Sequence, residues 1–148
     1  MLDNRTLPLV DVVRLRQSIG RLSRRLAKVD AVFGLTPTQA SLLATVARLG
    51  PVGMSEVCRV ERINATVLSR AAGTLESLGL VQRVVDTLDR RTVVLVLTPN
   101  GRRLLRRLRD ARSNALRLQV DLLPRREQQR LAAVLPVLEL LVDRLDDA

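Results

Sequence analysis

Apolar residues recur at alternating intervals of three and four along both ends of the chain, and at shorter or two-residue intervals between them. Val12, Leu15, Ile19, Leu22, Leu26, Val29 and Phe33 make the first seam, which predicts a helix from about Leu7 to Phe33. Its outer positions hold Arg14, Arg16, Arg21, Arg24, Arg25 and Lys28. Gly20 inside it costs about 1 kcal/mol of helix propensity relative to alanine, and Gly34 stands where a C-cap is expected. A second seam, Leu104, Leu108, Ala111, Ala115, Leu118 and Leu122, follows the cap-then-proline sequence Thr98-Pro99-Asn100-Gly101. A third, Leu131, Leu135, Leu138, Val142 and Leu145, opens after Pro124, with Glu127 in the first turn where the helix dipole favours an anion. Pro136 interrupts that seam and predicts a kink or two short helices.

The middle of the chain reads differently. Thr36 is a good N-cap, Pro37 a good first helical residue, and Gln39 completes a capping box. The helix they open has Ala40, Leu43, Val46 and Ala47 on its apolar side and ends at Gly50-Pro51. An extended piece at Val52–Met54 leads to Ser55, placed to cap a third helix over about Glu56–Arg62. A turn at Ile63–Ala65 joins it to a helix over 64–79, whose apolar side is Leu68, Ala71, Leu75 and Leu78. The opposite side offers Thr66, Ser69, Arg70, Gly73 and Thr74, and Gly79 stops the helix. Two β-rich runs, Leu80–Val85 and Thr92–Leu97, then flank Asp86-Thr87-Leu88-Asp89-Arg90-Arg91. Three short helices with a small turn before the last make a helix-turn-helix, and the hairpin makes a wing. The expected fold is mainly α with a small β-hairpin wing (α+β): a winged helix-turn-helix flanked by long helices. A helix with a small polar face beside a hairpin tipped with arginines suits a major groove and the neighbouring backbone or minor groove.

Composition narrows the class. With 148 residues, 47% apolar and 27% charged, the chain is long enough to fold as one domain around a sizeable core. The net charge of +10 is carried by arginines and the single lysine Lys28. Arginine makes the better forked contacts to phosphate and guanine, although arginine abundance with almost no lysine also fits a GC-rich coding bias. No stretch approaches the roughly 20 apolar residues that a membrane span needs. The N-terminus lacks the layout of a secretory signal. One cysteine makes no internal disulfide, and histidine is absent. A cytoplasmic protein without a membrane partner is the expectation.

The three seams exceed what one small core needs. They either pack on their own domain or interlock with a second copy, and we favour the second. A two-fold dimer would set two reading helices about one turn of DNA apart and read a pseudo-palindrome.

Three segments, in this order and spacing, resemble the MarR (multiple antibiotic resistance regulator) family of bacterial transcription factors. They are Leu35-Thr36-Pro37-Thr38-Gln39 with Leu42-Leu43, then Thr66-Val67-Leu68-Ser69-Arg70 with Leu75 through Arg83, then Asp89-Arg90-Arg91 with Leu97 through Gly101. The likeness covers nearly the whole chain. It implies a single MarR-like domain over 1–148, with dimerisation helices at 7–34 and 99–146 around a DNA-binding core at 35–98. It implies a homodimeric regulator, usually a repressor, of a class often released from its operator by a small molecule or an oxidant. It places the Thr66–Arg70 segment in the major groove and Asp89-Arg90-Arg91 at the wing tip, where Arg91 reaches the minor groove, Asp89 orients it and Arg90 meets phosphate. Thr38 and Gln39 match the family's backbone-contacting start of the second helix. A small-molecule pocket, as in relatives, would lie between the dimerisation helices and the winged domain.

Read on their own chemistry, these residues carry different weights. An exposed arginine at 70 can fork onto guanine O6 and N7, or only meet phosphate; base readout is slightly favoured. Thr66 and Ser69 are better suited to backbone contact, and Thr74 extends the same face. Thr66 or Asn64 could be no more than the N-cap, and for Asn64 that claim is the stronger. Val67 could touch a thymine methyl or pack inside. For Arg83, pairing with Asp86 competes with phosphate. The arginines from Arg106 to Arg117 read first as a solvated helix face. Cys58, between Val57 and Val60, reads as a small buried apolar residue, with a redox switch the minority alternative.

Without histidine, a Gly-rich phosphate loop or a flanked carboxylate pair, the chain has little with which to do chemistry, and neither enzyme nor cofactor is expected. The remaining alternative is a winged helix that binds proteins, or DNA only weakly and non-specifically.

Overall fold

The computed structural model describes residues 7–86, 89 and 91–146. In chain order the elements are α1 (Leu9–Val32), α2 (Pro37–Leu49), β1 (Val52–Gly53), α3 (Met54–Glu61), α4 (Ala65–Ser77), β2 (Val81–Val85), β3 (Val93–Leu97), α5 (Pro99–Asp121) and α6 (Arg125–Asp146). The chain parts into two compact units between Arg112 and Ser113.

In the first unit, one core collects an apolar face from each of the short elements. Leu42, Leu43 and Val46 of α2, Val57 of α3, Leu68 and Leu75 of α4, Val81 and Leu95 of the sheet and Leu108 of α5 are all fully buried. Each such leucine contributes on the order of 2 kcal/mol by leaving water. The strands form an antiparallel sheet in the order β1-β3-β2. Val81 opposes Leu97 and Val85 opposes Val93, so the hairpin runs its full length in register. The piece at Val52–Gly53, expected only to be extended, pairs with Leu95 and Val94 and makes a third strand.

Local chemistry accounts for most boundaries. The Thr36 hydroxyl accepts from the Gln39 N–H at 3.3 Å, and the Gln39 side-chain oxygen accepts from the Thr36 N–H at 2.9 Å. Pro37 follows at the first helical position, so the full capping box opens α2. Two expectations are corrected. Ser55 does not cap α3: Gly53 holds the N-cap position and the helix starts at Met54, because β1 runs directly into it. Leu78 is not on the buried side of α4: the helix ends at Ser77, which leaves Leu78 52% exposed, and Ala72 fills the core instead. Gly79 follows with φ 67°, sending its N–H to the Glu76 carbonyl and the Leu80 N–H to the Leu75 carbonyl, both at 2.9 Å. That pair of bonds is the αL helix stop for which glycine is best suited.

The start of α5 approaches the end of α4 and the start of β2 closely. The Thr98 hydroxyl donates to the Gly79 carbonyl at 2.7 Å, and the Leu80 carbonyl accepts from the Thr98 N–H at 3.1 Å. The same hydroxyl accepts from the Gly101 N–H at 3.0 Å, which makes Thr98 the cap of α5. A Cβ at Gly101 would stand 2.1 Å from the Leu80 carbonyl oxygen. Only a residue without a side chain fits there.

One buried polar feature was not foreseen. Asp30, on the inner side of α1, is 1% exposed, and its carboxylate takes a two-pronged contact from Arg112 of α5 at 2.8 and 2.7 Å. Arg112 therefore leaves the solvated arginine face to which the sequence assigned it. The Arg107 guanidinium also turns back, 5.5 Å over the Phe33 ring.

In the second unit, α6 is one helix with Pro136 inside it, and of the two alternatives the pair of short helices is not found. Pro136 has no N–H for the Ala132 carbonyl, which weakens the helix locally. Leu118, Leu122, Leu131, Leu135, Val142 and Leu145 of the second and third seams are exposed in the single chain.

Gly101→Ala should cost about 2–4 kcal/mol despite the higher helix propensity of alanine, because the Leu80 carbonyl must move. Gly73→Ala, where nothing lies within 4 Å of the added carbon, should instead stabilise by up to about 1 kcal/mol. Urea denaturation followed by far-UV circular dichroism reads both, and equal effects would contradict the close approach at Gly101.

Candidate nucleic-acid interface

The α4 helix is built to present one face. Asn64 is its N-cap, the side-chain oxygen accepting from the Val67 N–H at 2.9 Å, so Thr66 is spared that role. Leu68, Ala71, Ala72 and Leu75 bury the inner side. Thr66, Ser69, Arg70 and Thr74, at helical spacing, lie exposed on the other, with Gly73 half-buried beside them. The Thr74 hydroxyl donates to the Arg70 carbonyl at 3.1 Å, which leaves its lone pairs as the outward-facing function. Val67 is 41% exposed, so it is not an interior packing residue.

Thr38 and Gln39 sit half-buried in the first turn of α2. The Gln39 side-chain oxygen is committed to the capping box described above, and the opening of α2 is thereby fixed in direction. Glu61, at the last position of α3, was not singled out by sequence. Its carboxylate accepts from the Ser41 hydroxyl at 2.6 Å and from the Thr45 hydroxyl, tying α3 to α2. The pairing of Ser41 with Thr45 one turn apart on α2 is the signal that could have found it. After Glu61, Arg62 takes a left-handed conformation (φ 52°) to turn the chain toward α4.

The wing tip is organised around Asp89. One carboxylate oxygen accepts from the Arg91 backbone N–H at 3.0 Å and the other from the Thr92 hydroxyl at 2.8 Å. The Thr92 N–H donates to the Asp89 carbonyl at 2.9 Å, and the Asp86 N–H to the Thr92 carbonyl at 2.8 Å. Asp89 thus sets the backbone from which the exposed Arg91 side chain projects. Arg90 lies outside the described residues. On β2, Arg83 approaches Glu76 of α4 at 3.6 Å, linking the wing to the helix.

The candidate residues thus fall in three places: the outer face of α4, the first turn of α2 and the wing tip. Cys58 is half-buried and packs against the core. Among the described residues no cluster of His, Cys, Asp and Glu is placed to hold a metal ion, and no helix is long and apolar enough to cross a membrane.

The Arg91 N–H, and after it the Thr92 hydroxyl, hold the Asp89 carboxyl below its ordinary value of 3.8. Because the folded value is the lower one, these contacts stabilise the tip fully above the ordinary value and are lost as the pH falls through the folded one. The Arg91 amide resonance should therefore titrate with a midpoint below 3.8. A midpoint at or above that value would mean the carboxylate does not organise the tip.

Residues 33–92 match the model of the MarR family. Over 129 residues, 87% of this chain and 90% of the other, the sequence is 27% identical to an uncharacterised HTH-type transcriptional regulator of Mycobacterium bovis. It is 32% identical over 68 residues to the HTH-type transcriptional repressor MdtR of Bacillus subtilis, covering 46% of this chain and 44% of that one. The fold superposes on a solved mutant of MarR from E. coli with a TM-score of 0.74 at 20% identity, covering 91% of this chain and 98% of that one. Residues 33–92, which carry the winged helix-turn-helix and the exposed face of α4, are thus a MarR-family segment within a chain of winged-helix fold.

Proposed function

We propose that this regulator is a homodimeric repressor that binds a pseudo-palindromic operator, with α4 in the major groove and the wing tip against the minor groove and phosphates. The observation that carries the reading is the division of α4 into a fully buried side and an exposed side of Thr66, Ser69, Arg70 and Thr74. Arg70 is its longest donor and forks onto guanine O6 and N7, while the short hydroxyls meet the backbone. Arg91 enters the minor groove from the tip that Asp89 holds, Arg90 meets phosphate, and Thr38 and Gln39 bring the start of α2 to the backbone. The net charge of +10 supports such a partner through counterion release.

Dimerisation through 7–34 and 99–146, around a reading core at 35–98, is supported by the seam positions left exposed in one chain. Val12, Ile19 and Leu22 of α1 join Leu118, Leu122, Leu131, Leu135, Val142 and Leu145 in that condition. So much apolar surface is more than a stable monomer ordinarily leaves in water. A second copy related by a two-fold axis covers it and spaces the two α4 helices about one helical turn apart. The name of the B. subtilis relative, a transcriptional repressor, supports the sign of regulation.

Selection of bound fragments from genomic DNA, followed by footprinting, should return an inverted repeat, and sedimentation should give a dimer. Affinity should fall with salt with a log–log slope of about 0.9 per phosphate neutralised. Arg70→Ala should cost about 1–3 kcal/mol and relax one base position, while Arg91→Ala weakens binding with less change in preferred sequence. A monomer with no symmetric target, or an Arg70→Ala protein unchanged in affinity and preference, would overturn the reading.

A further inference from the structure

The link between α3 and α4 holds an arginine where the backbone suits glycine. Arg62 lies at φ 52° and ψ 40°, and among the described residues it is the one non-glycine with a positive φ. The other positive-φ positions among them, 34, 50 and 79, are all glycine. The conformation is held from both sides: the N–H groups of Arg62 and Ile63 donate to the Cys58 carbonyl, and Asn64 caps α4. At such a point a side chain costs stability that glycine does not. A side chain present against that cost points to a use for the side chain itself.

The charges around the link sort so that this one cation stays open. Arg59, one turn back on α3, is paired with Glu56 through contacts of 2.9 and 2.6 Å. The neighbouring carboxylate of Glu61 is taken by the Ser41 and Thr45 hydroxyls of α2. Arg62 is exposed and has no hydrogen-bond or ion-pair partner among the described residues. A cation also suits the C-terminal end of α3, but that attraction is smaller than the cost of the conformation.

We propose that Arg62 holds a DNA phosphate at the edge of the major groove that α4 enters. In the reading above, on which this rests, the first turn of α4 meets the bases. The groove is about 12 Å wide, so the chain leading into that turn passes the sugar-phosphate backbone at its rim. A guanidinium there offers forked donors to the phosphate oxygens. Such a contact carries no sequence information. It fixes the position of the helix in the groove while Arg70 reads a base.

Arg62→Gly separates this role from a structural one, because it relieves the backbone as it removes the charge. The variant should keep or raise its thermal midpoint, yet bind the fragment recovered by genomic selection about tenfold more weakly for each protomer engaged. A duplex of scrambled sequence should be weakened by a similar factor, and the log–log salt slope should drop by about 0.9 per protomer on both. Arg62→Lys, which keeps the charge, should retain most of the slope. Phosphate ethylation should find a position in each half-site that impairs binding of the native protein but not of Arg62→Gly. Unchanged affinity and slope in Arg62→Gly would overturn the proposal; so would a lower thermal midpoint, which would mark the arginine as part of the fold. Failure of the operator reading shows in the native protein, as the absence of a symmetric footprint. Failure of the Arg62 contact leaves that footprint intact and shows only in the variant.

Discussion

The carbonyl of Leu80 is the point on which the arrangement of the reading unit turns. It accepts from the Thr98 N–H, and it leaves room at Gly101 for nothing larger than hydrogen. Through the Thr98 hydroxyl the same place also holds the Gly79 carbonyl and the Gly101 N–H of α5. The end of α4, the start of β2, the end of β3 and the start of α5 are therefore fastened within a few ångströms of one another. The wing cannot swing relative to α4 without breaking this cluster. The Arg83–Glu76 approach adds a weaker, solvent-screened tether further along the same pair of elements.

A second constraint is the ion pair between Asp30 and Arg112. Removing Asp30 from water is costly, and the two-pronged contact offsets the cost only while α1 and α5 keep their present alignment. Such a pair adds little to stability over an apolar one but discriminates between alignments. It joins α1 and α5 at one height.

Much of this was legible from residue order. The capping box at Thr36–Gln39, the glycine stop at Gly79 and the cap-then-proline start at Thr98 all act within five residues, and the structure keeps them as read. The expectations that failed depended on distant partners. Ser55 was a sound local cap, but the pairing of Val52 and Gly53 with β3 fixes where α3 begins. Leu78 lost its place in the core because the stop after Ser77 turns it outward. At the candidate site, the exposed face of α4 follows from helical spacing alone. Glu61 and Asp30 were not visible, since each is defined by partners 16 to 82 residues away. Arg112 was hidden for the same reason, inside a run whose other members do face water.

Arg62 adopts the left-handed region that a side chain disfavours, and among the described residues it is the one non-glycine to do so. An isolated residue held there stores strain of about 1–2 kcal/mol. That strain is lodged in the link between α3, which Glu61 ties to α2, and α4. A conformation disfavoured in itself persists only where its neighbours over-determine it, so the angle between α3 and α4 is imposed by the packing on either side of position 62 and not by the backbone there.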